Sequence, residues 1–270
     1  SPLLPPDVNY TADKRGKGIE AVFSSFIVTP VMQSTLPLTP FNRNYFHGLY
    51  YAIDAQGQKT YAPQINHCEF TNNYRAIHLK ATNGARVLYN KIYTTEDNLT
   101  VDAVPHVNNG TPQENVTYAT YLNGAKNTWF EENKIFNGMA GAYIYNSDDN
   151  GGTRYYRNDF GGEIVSNNVI NNKGMNAASI VVGKNSNWNA ANPPVYITGL
   201  EVRCNDYTGN DYAISVLNGN MRKDQGVLQG QTDQLAGNQF HTTMVNGKEF
   251  KLQITHGTIP SLNFSQYDLG

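Results

Sequence analysis

A hexad of the form apolar-x-x-Asn-x-apolar recurs along this 270-residue chain, and it constrains the fold more than any other feature. It runs from Phe41 to Phe46 around Asn44, Val87 to Ile92 around Asn90, and Phe130 to Ile135 around Asn133. Further copies run from Val165 to Ile170 around Asn168, Val202 to Tyr207 around Asn205, and Leu235 to Phe240 around Asn238. Ile65 to Phe70 fits with Cys68 at the marked place, and Tyr155 to Phe160 around Asn158 is out of phase with Asn168 and reads as an insertion. The marked positions are separated by 24 (44 to 68), 22 (68 to 90), 43 (90 to 133), 35 (133 to 168), 37 (168 to 205) and 33 (205 to 238) residues. Two intervals lie near one short period and 43 lies near twice it. The longer ones read as coils carrying loops, because Asp148 to Arg157 and Gly183 to Pro194 are rich in Gly, Asn and Pro.

After most hexads comes a Gly/Asn-rich bend and then a short β-type run: Gly48 to Ile53, Arg75 to Leu79, Gly141 to Tyr145, Ala178 to Val182 and Tyr212 to Leu217. No segment carries a helical period with caps over ten or more residues. Apolar residues at minus three and plus two from each Asn can point inward from two short strands. The Asn itself suits the bend, because it tolerates left-handed backbone and bonds locally. Stacked coils then set Asn above Asn, so that side-chain amides bond along the axis. A meandering β-sandwich also has short strands and frequent turns. It has no reason, however, to repeat the same hexad followed by the same second strand.

The runs Asn66 to Leu79, Glu132 to Gly138 and Ser166 to Asn172 resemble parallel β-helix repeats of the pectin-lyase-like superfamily. The resemblance covers roughly residues 40 to 245 and implies an all-β, right-handed parallel β-helix of Asn-rich coils. In texture the chain also resembles repeat regions of large surface proteins exported by the Bacteroidetes type IX secretion system, including those of gliding bacteria. That likeness implies an extracellular or cell-surface setting and the secretion or gliding machinery as a partner. Residues 1–40, which contain six prolines and fit the repeat poorly, are expected to form a cap or entry segment. Residues 41–245 would be the β-helix, and residues 246–270 a C-terminal cap or a link to a following domain.

Only 16% of residues are charged and mean hydropathy is −0.51, so polarity comes from uncharged side chains, 35 Asn among them. The 18 Tyr and 11 Phe supply area to bury, which sets the chain apart from a disordered tail. A net charge of −2, with Lys and Arg scattered, gives no basic field for nucleic acid. No apolar stretch approaches the ~20 residues of a membrane-spanning helix. Cys68 and Cys204 match no metal-ligand spacing and read as ordinary thiols, one of them buried.

Enzymes of the resembled superfamily commonly act on acidic polysaccharides, and glycoside hydrolysis needs two acids flanking one bond. Asn146 to Asn150 offers adjacent Asp148 and Asp149, and Arg154 and Arg157 follow as guanidinium groups able to bind a substrate carboxylate. The Gly-His-Gly and Arg-x-Lys elements of the polygalacturonase pattern have no counterparts here. Glu96, Asp97 and Asp102 are the carboxylates available for a calcium ion, the one cofactor considered. His78 lies in a strand-like run as a structural histidine, and no nucleophile, base and orienter assemble. Tyr50, Tyr51, Tyr74, Tyr143, Tyr145, Tyr155 and Tyr156 lie in or beside strands. They either form an exposed track for sugar rings or fill the core and shield its faces. The expectation is therefore a non-catalytic, structural or adhesive β-helical domain with polysaccharide or surface glycan as its partner. The alternative is a polysaccharide hydrolase or lyase working through Asp148, Asp149, Arg154 and Arg157.

Overall fold

The computed structural model describes residues 16–30, 43–57, 62–94, 117–136, 140–147, 152–161, 164–165, 168–169, 178–183, 200–208, 212–217, 224–225, 237–241, 252–255, 263–264 and 266–267. Every element among them is a strand, and three parallel sheets hold most of these strands. The first sheet stacks Lys17–Val22, Tyr51–Gln56, Arg75–Lys80, Tyr118–Asn123, Ala140–Tyr145, Ala178–Val182, Tyr212–Leu217 and Leu252–Thr255. The second stacks Ile27–Val28, Gln64–Asn66, Arg86–Leu88, Trp129–Glu131, Arg154–Tyr156 and Glu201–Arg203. The third stacks Asn44–His47, Cys68–Asn73, Lys91–Thr94, Lys134–Phe136, Asp159–Phe160, Asp206–Thr208, Asn238–His241 and Gln266–Tyr267. The chain visits the sheets in that order and repeats, so each circuit is one coil of a parallel β-helix, the fold the hexads predict. Among the described residues stacking runs from Lys17, and the strand Leu252–Thr255 continues the first sheet.

The residues flanking Cys68, Asn90, Asn133, Asn158 and Asn205 enter the core as expected. Ile65 and Phe70, Val87 and Ile92, Phe130 and Ile135, Tyr155 and Phe160, and Val202 and Tyr207 are all buried in one cluster. Like residues stack between coils: Phe130 lies 4.5 Å from Tyr155 and Phe160 lies 5.3 Å from Tyr207, with rings nearly parallel. Such pairs add roughly 0.5–1.5 kcal/mol each beyond their burial.

Three details differ from the sequence reading. Asn158, not Asn168, marks the fifth coil: Tyr155 pairs in register with Phe130 and Val202, whereas Asn168 lies in an antiparallel pair, Ile164–Val165 with Asn168–Val169, outside the stacked sheets. The hexad around Asn168 is thus the inserted one, because a short hairpin also needs apolar residues flanking a turn. The 43-residue interval is one coil, since Asn90 bonds Asn133 directly. The strand Tyr118–Asn123, which closes that coil, went unpredicted because the insertion moves it far from the preceding hexad. Finally, the left-handed residue at the bend is the one before each marked position. His67, Tyr89, Glu132, Arg157 and Cys204 have φ of 53°, 58°, 56°, 53° and 53°. The bend is made by a residue facing outward, which leaves the Asn side chain free to turn inward.

Candidate functional site

Three sets of polar residues stand out, and each is positioned by coil register. The first is the Asn ladder at the corner between the second and third sheets. Asn133 donates through Nδ2 to the Val87 carbonyl at 2.8 Å and to Asn158 Oδ1 at 3.0 Å. Its own Oδ1 accepts from the backbone N–H and the Nδ2 of Asn90, both at 3.0 Å. Asn158 and Asn205 repeat the pattern, so each interior amide uses two donors and two acceptor positions. These side chains are fully enclosed yet leave no amide valence unmet, which is why the solenoid tolerates a polar column in its interior. Cys68 interrupts the column: its N–H donates to Asn90 Oδ1 at 2.9 Å, but its thiol has no amide to pass on. Burial pushes that thiol up to about 11, and Cys68 and Cys204 are both free.

The second set lies on the outward side of the first sheet. In the strand Arg75–Lys80, Ile77 and Leu79 join the core, so His78 and Lys80, which alternate with them, face away from it, and Arg75 opens the strand among tyrosine rings. Asp54, one coil earlier and in register with His78, accepts from His78 Nδ1 at 2.8 Å and from Lys17 Nζ at 2.6 Å. Burial works to raise the Asp54 carboxyl, but hydrogen bonds from His78 and Lys17 outweigh it and hold the carboxyl well below the usual carboxylate range. The His78 ring is clamped between Tyr51, at 5.1 Å, and Tyr121, at 4.8 Å. The Arg75 guanidinium sits 5.3–5.7 Å from the rings of Tyr50, Tyr51, Tyr74 and Tyr118 and bonds the Tyr51 hydroxyl. An Asp–His pair is what general-base chemistry uses, but here His78 Nε2 is enclosed and meets no hydrogen-bond partner among the described residues.

The third set is the outward face of the second sheet, and it contains Arg154 and Arg157. Arg86, Trp129, Arg154 and Glu201 form one column, in register across four coils. The indole of Trp129 is sandwiched between guanidinium groups, Arg86 at 4.4 Å and Arg154 at 3.5 Å from the ring centre. The next outward column is Leu88, Glu131, Tyr156 and Arg203, and the bend column beside it carries Tyr89, Glu132, Arg157 and Cys204. Arg154 reaches Glu131 at 3.7 Å, Arg157 reaches Glu132 at 3.3 Å, and Arg203 reaches Glu201 at 2.9 Å. Arg157 and Arg203 both lie over Tyr156. Burial and the nearby Arg203 and Arg86 lower the Arg154 guanidinium, offset in part by Glu131 and Glu201.

Of the predicted site residues, Arg154 and Arg157 thus share one face, where their partners are the chain's own carboxylates and rings. Asp148 and Asp149 lie outside the described residues, as do Glu96, Asp97 and Asp102. Among the described residues no group of three or more His, Cys, Asp or Glu side chains could hold a metal ion, and no helix is long and apolar enough to cross a membrane. The tyrosine series divides: Tyr155 is in the core, Tyr74 and Tyr143 are enclosed, and Tyr50, Tyr51, Tyr145 and Tyr156 are half-buried. Shielding of faces therefore accounts for more of the series than an exposed track does.

Sequence reasoning missed Lys17, Asp54 and Arg75, and it missed the Arg86–Trp129–Arg154–Glu201 column. The coil interval is the signal that finds them. Asp54 precedes His78 by the same 24 residues that separate Asn44 from Cys68 (78 − 54 and 68 − 44). Arg86, Trp129, Arg154 and Glu201 each stand four residues before a ladder Asn (90 − 86, 133 − 129, 158 − 154, 205 − 201).

The family model for a right handed beta helix region matches residues 39–160 of the chain. Together with three parallel sheets and the usual hand of parallel crossovers, that match makes the architecture a right-handed parallel β-helix. No curated protein and no solved structure matches the chain.

Proposed function

We propose that this chain is a non-catalytic extracellular β-helical domain of a bacterial surface or secreted protein, a stiff rod with a structural or adhesive role that contacts surface glycans. One observation supports the reading: among the described residues, which leave out Asp148 and Asp149, the polar groups that could serve chemistry are engaged by the fold. The Asn column is saturated by its own neighbours, His78 is clamped and enclosed, and Arg154 and Arg157 engage Glu131 and Glu132. A rod held coil to coil by three sheets resists bending, because deformation must break ladder bonds in all of them together. The same solenoid hosts enzymes as well as spacers, so the role has to be read from its sites.

The test is a screen of the chain against neutral and acidic polysaccharides, with and without calcium, scoring cleavage and retention separately. Retention on a polymer without any shortening of it is the expected result. Cleavage that disappears in the Asp148→Asn/Asp149→Asn variant would overturn the proposal and establish the hydrolase or lyase alternative.

A further inference from the structure

We propose that the first described coil docks on an anionic lipid surface, with Phe23 and Ile27 entering the headgroup layer and Lys80, Arg86 and Lys126 meeting its charge. Five large hydrophobic side chains are exposed among the described residues, and four of them lie on that coil: Val22 at 50%, Phe23 at 62%, Ile27 at 64% and Tyr45 at 61%. Phe26 and Val28 pack inward against the core, so Ile27 between them turns outward. Phe23 holds φ at 49°, where bulky residues seldom sit, and its ring rests on Gly57, at which a Cβ would lie 2.7 Å from it. The fold itself thus builds this apolar corner.

The cations stand in the same columns. Lys80 follows Val22 and Gln56 on the first sheet, and Arg86 follows Ile27 and Gln64 on the second. Two strand spacings put them about 10 Å behind the apolar residues. Lys126, bridged to Asn83, comes one coil further. All three are exposed, and none is in an ion pair among the described residues. Glu20, the exposed carboxylate of the first coil, is held by Lys17 at 2.5 Å.

The charge of the whole chain divides in the same sense. Residues 1–94 hold nine Lys and Arg against five Asp and Glu, and residues 95–270 hold eleven against seventeen, a net +4 (9 − 5) followed by a net −6 (11 − 17). An anionic bilayer attracts the first part and repels the rest, which turns the first coil toward lipid. Apolar side chains at a membrane surface reach roughly 5–10 Å into the headgroup boundary, a depth that brings the cations behind them to headgroup level. Tyr45 suits the same layer, where tyrosine rings gather. Strand addition by a second copy or an extended peptide fits less well. The edge strand Lys17–Val22 carries Lys17 and Glu20, charged side chains of the kind that blunt an edge, and an apolar partner would leave the three cations unanswered.

Vesicle co-sedimentation of the whole chain at low ionic strength tests it, with phosphatidylcholine alone and with equal parts of phosphatidylcholine and phosphatidylglycerol. Binding to the mixed vesicles is expected to be at least about tenfold tighter than to the neutral ones. Phe23→Ser/Ile27→Ser should weaken binding to the mixed vesicles by at least about tenfold, since two apolar side chains no longer leave water. Lys80→Gln/Arg86→Gln should bring it close to the neutral-vesicle level. All four positions are exposed, and cooperative thermal unfolding checks that each variant is folded. A chain that does not bind the mixed vesicles overturns the proposal, as does a Phe23→Ser/Ile27→Ser variant that binds them like the unmodified chain. So does sedimentation velocity in which the unmodified chain self-associates and that variant is monomeric, because the corner then holds a second copy. Retention on a polysaccharide is scored separately and bears on the glycan reading alone.

Discussion

The Asn corner and the outward face of the first sheet both enclose polar side chains, yet they do so by opposite means. At the corner one residue type repeats, and each copy completes the valence of the next, from Asn90 to Asn238. On the first sheet no residue repeats: Lys17, Asp54 and His78 come from three successive coils and satisfy one another as a unique set. Periodic burial extends with every added coil and is cut by a single wrong residue. Unique burial cannot extend, and it depends on ionisation as well as geometry.

The corner should break hardest. Asn133→Ala removes four hydrogen bonds at once and leaves enclosed partners on two neighbouring coils, so a loss of about 3–4 kcal/mol is expected in urea-induced unfolding. A loss under about 1 kcal/mol would mean that water replaces the amide, and that the column is decoration.

The ionic set should respond to pH where the corner does not. The folded Asp54 carboxyl is held below its unfolded value, so the unfolded chain takes up its proton first as pH falls. Its stabilisation is present above the ordinary carboxylate range and lost progressively below it. Asp54→Asn should cost about 2 kcal/mol at neutral pH, moderated by the partial exposure of Lys17, and should flatten the acid limb of a stability-versus-pH curve. An unchanged acid limb would show that other carboxylates set it.

The smallest effect sharpens the comparison by mending the corner instead of breaking it. Cys68→Asn places an amide above Asn90 Oδ1, where only a backbone donor is now recorded, and should add about 1 kcal/mol. Before that change Cys68, enclosed and with its thiol pushed up by burial, should react with an alkylating reagent far more slowly than half-buried Cys204, as peptide mass spectrometry can follow.

Legibility followed the same division. The ladder residues and their flanking core positions could be read in advance because repetition makes them visible without knowledge of the fold. Asn158 was misread against Asn168 because two hexads ten residues apart satisfy the same local pattern, and only parallel pairing of Tyr155 with Phe130 and Val202 chooses between them. Arg154 and Arg157 were noticed for their charge, but their partners Trp129, Glu131 and Glu132 sit one coil away, across loops of unequal length.

The chain by itself determined that it would coil, which residues line the interior and where the amide column runs, because those demands recur in every turn of the solenoid. Tertiary structure decided which coils follow one another, and so which of the residues four places before a ladder Asn become outward neighbours. Insertions make one coil 22 residues and another 47, so residues adjacent in space are separated by no constant number in sequence. Stacking brings Arg86, Trp129, Arg154 and Glu201 into one column, and the chemistry of that face exists only once the coils are in register.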